Sequence, residues 1–132
     1  MAAPESYPDD LRYHPEHDWA RIEDGEATIG ITWYAQDSLG EIVHYEPPQV
    51  GALLRKDAPY GEVESVKAVS DLIAPLSGEV LEVNSEVIEE PEIVNEDPYG
   101  RGWLARIRLS DPAEVASLLD AEGYRALLSE LG

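Results

Sequence analysis

Residues 61–80 read GEVESVKAVSDLIAPLSGEV. Gly61–Val66 (GEVESV) is echoed by Gly78–Val83 (GEVLEV). Both alternate apolar and polar residues as half-buried strands do. Leu72–Ala74 lies between them, and a turn runs from Pro75 to Gly78. The spacing predicts a small antiparallel sandwich with a rough internal twofold. Lys67 sits near the middle, flanked by the uncharged Val66 and Ala68. Strand-like runs on either side, GEVES and VSDLIA, put its amine near a hairpin tip. An ordinary solvated surface lysine is one reading. A reachable amine held out by a stiff hairpin for covalent attachment is the other. Only Lys56 would compete with it for a modifying enzyme.

Working outward, Trp19–Ile22 and Ala27–Thr32 are apolar-rich runs joined by EDGE, and Asp24-Gly25 favours a hairpin turn. TWYAQDSLG predicts a short helix with Thr32 as N-cap and Gly40 as its left-handed stop. EIVHYE reads as a strand that ends at Pro47 and Pro48, which cannot donate to a sheet ladder. WLARIRL places Trp103, Ala105, Ile107 and Leu109 on one face, with Arg106 and Arg108 on the other. Glu86 to Asp97 holds six acids and no base and reads as a solvated loop. Towards the end, Asp111 is an N-cap, Pro112 occupies the first helical position, and Glu114 completes a capping-box-like arrangement. Val115, Leu118 and Leu119 form a buried stripe, Gly123 breaks or bends the helix, and Tyr124, Leu127, Leu128 and Leu131 mark a second one. The expected fold is α+β and mainly β, with a flexible tail over residues 1–10 and a single domain over 11–132.

Composition excludes several functions. Twenty-eight acids against 9 bases give a net charge of −19, which repels nucleic-acid phosphates and anionic membranes and attracts basic protein faces. The absence of cysteine rules out disulfides, thiolate metal sites and thiol catalysis. MAAPESYPDD resembles neither a secretory signal nor an arginine-rich transit peptide, so a cytoplasmic location in a bacterium or archaeon is expected.

No catalytic constellation assembles. Gly100 to Ala105 matches G-x-G-x-x-A but enters a strand, whereas a dinucleotide loop leaves one and opens a helix. His14 and His17 have a permissible metal spacing, yet Pro15 lies between them and no third histidine or cysteine follows nearby. A polar loop pair is the better reading, and no metal site is expected.

Taken together, HDWARI, ATIGITWYAQDSLGEIV, GEVESVKAVSDLIAPLSGEVLEVN, PEIVNEDPYGRGWLARIRLSDP and LLDAEGYRALL closely resemble the glycine cleavage H-protein family, from about Leu11 to Leu131. The resemblance implies a lipoyl/biotinyl-type barrel-sandwich hybrid with a helical tail. It implies lipoate amide-linked to Lys67, with Ser65, Val66 and Ala68 around the attachment point. Biotin carriers usually set their lysine between methionines, and here Met1 is the only methionine. Family members are carriers and not enzymes. The resemblance implies that the lipoyl disulfide takes an aminomethyl group from a pyridoxal-phosphate glycine decarboxylase. It then presents the group to a tetrahydrofolate-dependent aminomethyltransferase, and a flavin (FAD) dihydrolipoyl dehydrogenase reoxidises the arm. A lipoate-attaching enzyme is a further implied partner, and a monomer suits a shuttle. The resemblance also implies a cleft for the loaded arm, with Asp18 and Asp71 near its amine. Asp18 stands where glutamate is usual, and Trp33, Pro48 and Arg101 are further departures. Two alternatives remain: an H-like protein relaying lipoate to other lipoyl domains, and an unmodified interaction module.

Overall fold

A computed structural model describes residues 3–131. Two antiparallel sheets pack face to face. The larger, in spatial order, contains β1 (Arg12–Tyr13), β2 (Asp18–Glu23), β3 (Glu26–Ile31), β9 (Ala105–Leu109), β8 (Gly78–Val83) and β5 (Leu53–Leu54). The smaller contains β4 (Ile42–Glu46), β6 (Pro59–Ser65) and β7 (Val69–Ile73). Buried Ile29, Ile31, Val80 and Ile107 from the first meet Tyr45, Val63 and Leu72 from the second in one core. This is the expected α+β, mainly β architecture.

The echo has a structural meaning. GEVES, the first five residues of the first copy, lies in the central strand of the small sheet, with Val66 opening the loop beyond it, and GEVLEV lies between β9 and β5 in the large one. Each begins with a glycine pressed against a neighbouring strand. A β-carbon on Gly61 would lie 2.5 Å from the Glu46 carbonyl oxygen, and one on Gly78 would collide with the Arg108 carbonyl. The repeated glycines therefore let adjacent backbones close up.

Local signals set most other elements. Asp24 (φ 48°) and Gly25 (φ 78°) both take positive φ, as a tight hairpin turn between β2 and β3 requires. Helix α1 (Trp33–Leu39) is capped by Thr32, whose Oγ1 accepts the Ala35 N–H at 3.2 Å. It stops at Gly40, whose φ of 84° and ψ of −157° belong to a glycine-only region other than the left-handed helical one.

Several regions differ from the sequence reading. The acidic 86–97 segment contains two short helices, α2 (Ser85–Glu89) and α3 (Ile93–Glu96), because Val87, Ile93 and Val94 are buried beneath the acids. The helical ending breaks at Leu118–Asp120 rather than at Gly123. A 3₁₀ segment covers Pro112–Ser117, and Leu119 then exchanges backbone hydrogen bonds of 2.8 Å with Tyr13. Helix α4 (Ala121–Leu131) includes Gly123 in its first turn, where Asp120 Oδ1 accepts the Gly123 N–H at 2.8 Å. Glu114 caps a different segment from the one expected: its carboxylate accepts the Ser77 N–H at 2.8 Å and the Ser77 hydroxyl at 2.9 Å.

Residues 3–10, expected as a tail, lie against an aromatic second core. Tyr7 is buried edge-on to Tyr124, which stacks on Tyr13 at 4.7 Å. Trp33 Nε1–H donates to the Ala3 carbonyl at 2.7 Å, and the Tyr99 hydroxyl donates to the Ser6 carbonyl at 2.6 Å. Residues 1 and 2 lie outside the described residues.

Candidate functional site: the Lys67 hairpin

β6 and β7 pair antiparallel, with Glu64 opposite Val69, so Val66, Lys67 and Ala68 form the connecting loop. One buried serine organises it. Ser65 Oγ accepts the N–H of Lys67 at 3.2 Å and of Ala68 at 3.1 Å, and its hydroxyl donates to the Ala68 carbonyl at 3.3 Å. The Ser65 N–H closes the turn on the same carbonyl at 2.7 Å. The Val66 N–H donates to the Glu41 carbonyl at 3.1 Å, which ties the loop to the segment leading into β4. With its backbone donors held, the loop is a firm base for an exposed side chain.

Lys67 is exposed and makes no ion pair among the described residues. Its stem runs past Gly40, where an added β-carbon would come within 3.7 Å of Cε. Lys56 differs. Its side chain is 22 % exposed, and its amine binds both carboxylate oxygens of Asp57, at 3.1 and 3.3 Å. Of the two lysines, only Lys67 offers an uncommitted amine at a protruding turn. Val66 is 68 % exposed and Val69 61 %, so the lysine rises from an apolar collar.

The two acids named from the sequence occupy different settings. Asp18, at the start of β2, is 2 % exposed, and Tyr60, on β6, donates its hydroxyl to Oδ2 at 2.7 Å. Burial holds the Asp18 carboxyl well above the usual carboxylate range, and the Tyr60 hydrogen bond opposes this only in part. Asp71 is exposed on β7 opposite Glu62, and no hydrogen bond or ion pair joins it to Asp18. Tyr60 went unnoticed in the sequence reading, which starts the strand at Gly61. The register shift between Pro59 and Gly61 turns Tyr60 inward, and no local pattern signals that.

The histidines have separate partners. His14 Nε2 lies 2.6 Å from Asp57 Oδ1, and its Nδ1 accepts the Glu16 N–H at 3.0 Å, so Nε2 carries the proton directed at Asp57. His17 Nδ1 lies 2.8 Å from the Tyr124 hydroxyl, which is also 2.8 Å from Thr32 Oγ1.

The Glycine cleavage H-protein family model matches residues 11–131. A glycine cleavage system H protein of Carboxydothermus hydrogenoformans is 52 % identical over 125 residues, covering 95 % of this chain and 96 % of its own. One from Symbiobacterium thermophilum is 50 % identical over 123 residues, covering 93 % and 96 %. The crystal structure of a glycine cleavage system H protein from Mycobacterium marinum superposes with a TM-score of 0.86 at 38 % identity, covering 92 % of this chain and 98 % of that one. The fold is therefore the lipoyl-type barrel-sandwich, and the chain belongs to the glycine cleavage H-protein family.

Proposed function

We propose that this protein is the lipoyl carrier of a glycine cleavage system, a non-catalytic subunit whose arm is attached through the Lys67 amine. The supporting observation is the uncommitted Lys67 amine on a loop clamped by Ser65. The site suits the group: amide formation removes a charge, and among the described residues no carboxylate pairs with Lys67 and would be stranded by the loss. When bound, lipoate would supply a disulfide that receives the aminomethyl group of glycine. The chain supplies tethering, which raises the local concentration of the arm at each partner site.

Within this reading, residues 11–132 act as one carrier domain. It visits a pyridoxal-phosphate glycine decarboxylase, a tetrahydrofolate-dependent aminomethyltransferase and an FAD-containing dihydrolipoyl dehydrogenase, after modification by a lipoate-attaching enzyme. Ser65, Val66 and Ala68 orient the attachment point. Asp71 is an open anion on the strand that leaves the lysine loop. Asp18 would serve the carried amine as a shielded acid, one whose Oδ2 already accepts the Tyr60 hydroxyl. The carrier is expected to be monomeric and cytoplasmic.

Intact-mass analysis of protein from its native host tests the proposal. The expected result is one lipoyl increment on the peptide containing Lys67, and none in a Lys67→Arg variant. Glycine–bicarbonate exchange with the host decarboxylase then separates glycine cleavage from lipoate relay. Exchange supported by the Lys67→Arg variant would overturn the carrier reading.

A further inference from the structure

Asn95 is the one uncharged polar residue in the acidic stretch from Glu86 to Asp97. The two residues before it, Ile93 and Val94, are buried, so α3 is pinned to the core and Asn95 leaves it at a fixed place. Its side-chain amide is fully used. Oδ1 accepts the Ile42 N–H at 2.9 Å, and Nδ2 donates to the Gly40 carbonyl at 2.9 Å and to Gln36 Oε1 at 2.9 Å. A backbone N–H can only donate and a backbone carbonyl can only accept, so the Asn95 amide has one orientation. Gln36, buried on α1, is then fixed in turn, with Nε2 donating to the Trp33 carbonyl at 2.9 Å.

These bonds bear on the lysine loop. Asn95 grips the chain at Gly40 and at Ile42, where α1 gives way to β4. Between the two, Glu41 presents its carbonyl to the Val66 N–H at 3.1 Å. Ile42 lies opposite Ser65, and the β4–β6 register shifts just beyond, between Ile42 and His44. There the ladder is locally disrupted, and the Asn95 amide satisfies the donor and acceptor that a neighbouring peptide group would otherwise take. Gly40 also lies beside the Lys67 stem, within 3.7 Å of Cε for a β-carbon placed on it. Alanine at position 95 would free both backbone groups. Aspartate would set an acceptor against the Gly40 carbonyl.

We propose that Asn95 is a positioning residue for the acylation of Lys67: it fixes the Gly40–Ile42 turn and, through the Glu41 carbonyl, the Val66 end of the lysine loop. The inference deepens the carrier reading and rests on it. Attachment is an acyl transfer from an activated donor such as lipoyl adenylate. The neutral Lys67 amine attacks the lipoyl carbonyl carbon, a C–N bond replaces the C–O bond to phosphate, AMP leaves, and the amine's displaced proton passes to solvent. The nitrogen must come within about 3–3.5 Å of that carbon along a narrow approach. A loose base multiplies the positions of the flexible lysine stem, and fewer of them reach that geometry.

The test compares full-length Asn95→Ala with wild type and with Asn84→Ala. Asn84 also uses its whole amide, on Glu86, Arg101 and Trp103, and none of it on residues 40–42. Two quantities are read: amide exchange at Val66, and the kinetics of the host's lipoate-attaching enzyme with lipoyl adenylate as donor. Asn95→Ala is expected to speed Val66 exchange and to lower kcat about tenfold, with KM for the protein within about twofold of wild type. Asn84→Ala should change neither. Asn95→Asp keeps the acceptor for Ile42 and should show the same two effects, which covers the case of an alanine variant that fails to fold. Thermal unfolding checks each variant. Unchanged Val66 exchange or unchanged kcat overturns the inference. So does equal slowing by Asn84→Ala, which would reduce the effect to general stability. A rise in KM alone overturns it too, because Asn95 would then belong to the surface the enzyme binds. Wild-type protein that accepts no lipoyl group defeats the carrier reading instead, and the Val66 comparison is read without it.

Discussion

Ser65 and Lys67 are joined through the backbone: the Lys67 N–H donates to the buried Ser65 hydroxyl oxygen at 3.2 Å, and the neighbouring Ala68 N–H shares that acceptor at 3.1 Å. The exposed lysine owes its position to an oxygen that solvent barely reaches. Ser65→Ala leaves the Lys67 and Ala68 amides with water as the alternative, and a stability loss of about 1–2 kcal/mol is expected. Amide exchange at Lys67 and Ala68 should accelerate while Val63 stays protected. Attachment of the lipoyl group should slow several-fold. Unchanged exchange at both amides would remove the serine clamp from the account.

Asp18 makes stability depend on pH in a particular direction. Its folded carboxyl binds a proton more tightly than an unfolded one, because burial raises its pKa. Between the ordinary carboxylate pKa and the raised folded value, the native state therefore holds more protons than the unfolded chain. Its contribution to stability falls as pH rises through that window, by at most about 1.4 kcal/mol per pH unit. Asp18→Asn keeps an acceptor for the Tyr60 hydroxyl and removes the titration. Urea unfolding of wild type and variant from about pH 4 to pH 7 should show the variant gaining relative stability with pH. Parallel curves would exclude Asp18 as the titrating group.

Glu114 joins the 3₁₀ segment to the turn before β8 through both oxygens of its carboxylate, at 2.8 and 2.9 Å from Ser77 N and Oγ. Glu114→Ala is expected to cost about 1–3 kcal/mol, since it leaves the Ser77 amide without its charged acceptor. Glu114→Gln should lose less, because its amide oxygen can still take the Ser77 N–H. Denaturant midpoints of the two variants check the ordering, and equal losses would mean that the stem alone matters.

Legibility in the sequence followed the range of the interaction. Asp24-Gly25, Thr32 and the Lys67 loop are decided within a few residues, and each stands where the sequence placed it. Glu114 has the spacing of a local cap, yet Ser77, 37 residues away, offers two donors and wins. Leu119 carries a helical pattern but pairs with Tyr13, whose backbone otherwise lacks a partner on that side of β1. In the acidic segment, the charges hide Val87, Ile93 and Val94, which are too few and too irregular for a periodicity. The Asp18–Tyr60 bond spans 42 residues and depends on a strand irregularity, so only three-dimensional packing reveals it.

Gly61 offers the most direct test of how the scaffold holds the lysine loop. Its missing side chain lets the Glu46 backbone of β4 lie against β6, with a hypothetical β-carbon only 2.5 Å from the Glu46 oxygen. Gly61→Ala must push β4 outward, because the obstacle is backbone and cannot rotate away. A loss of about 2–4 kcal/mol is expected, in the range of core overpacking. Gly25→Ala is the comparison: its φ is 78° but no atom lies within 4 Å, so only backbone strain of about 1–2 kcal/mol applies. The two variants should also differ in where they act. Glu41, just before β4, holds the Val66 amide at 3.1 Å, so displacing β4 should speed exchange at Val66, whereas Gly25→Ala should leave it unchanged. If Gly61→Ala destabilises the protein but Val66 remains protected, the lysine loop depends on Ser65 alone and β4 is dispensable to it.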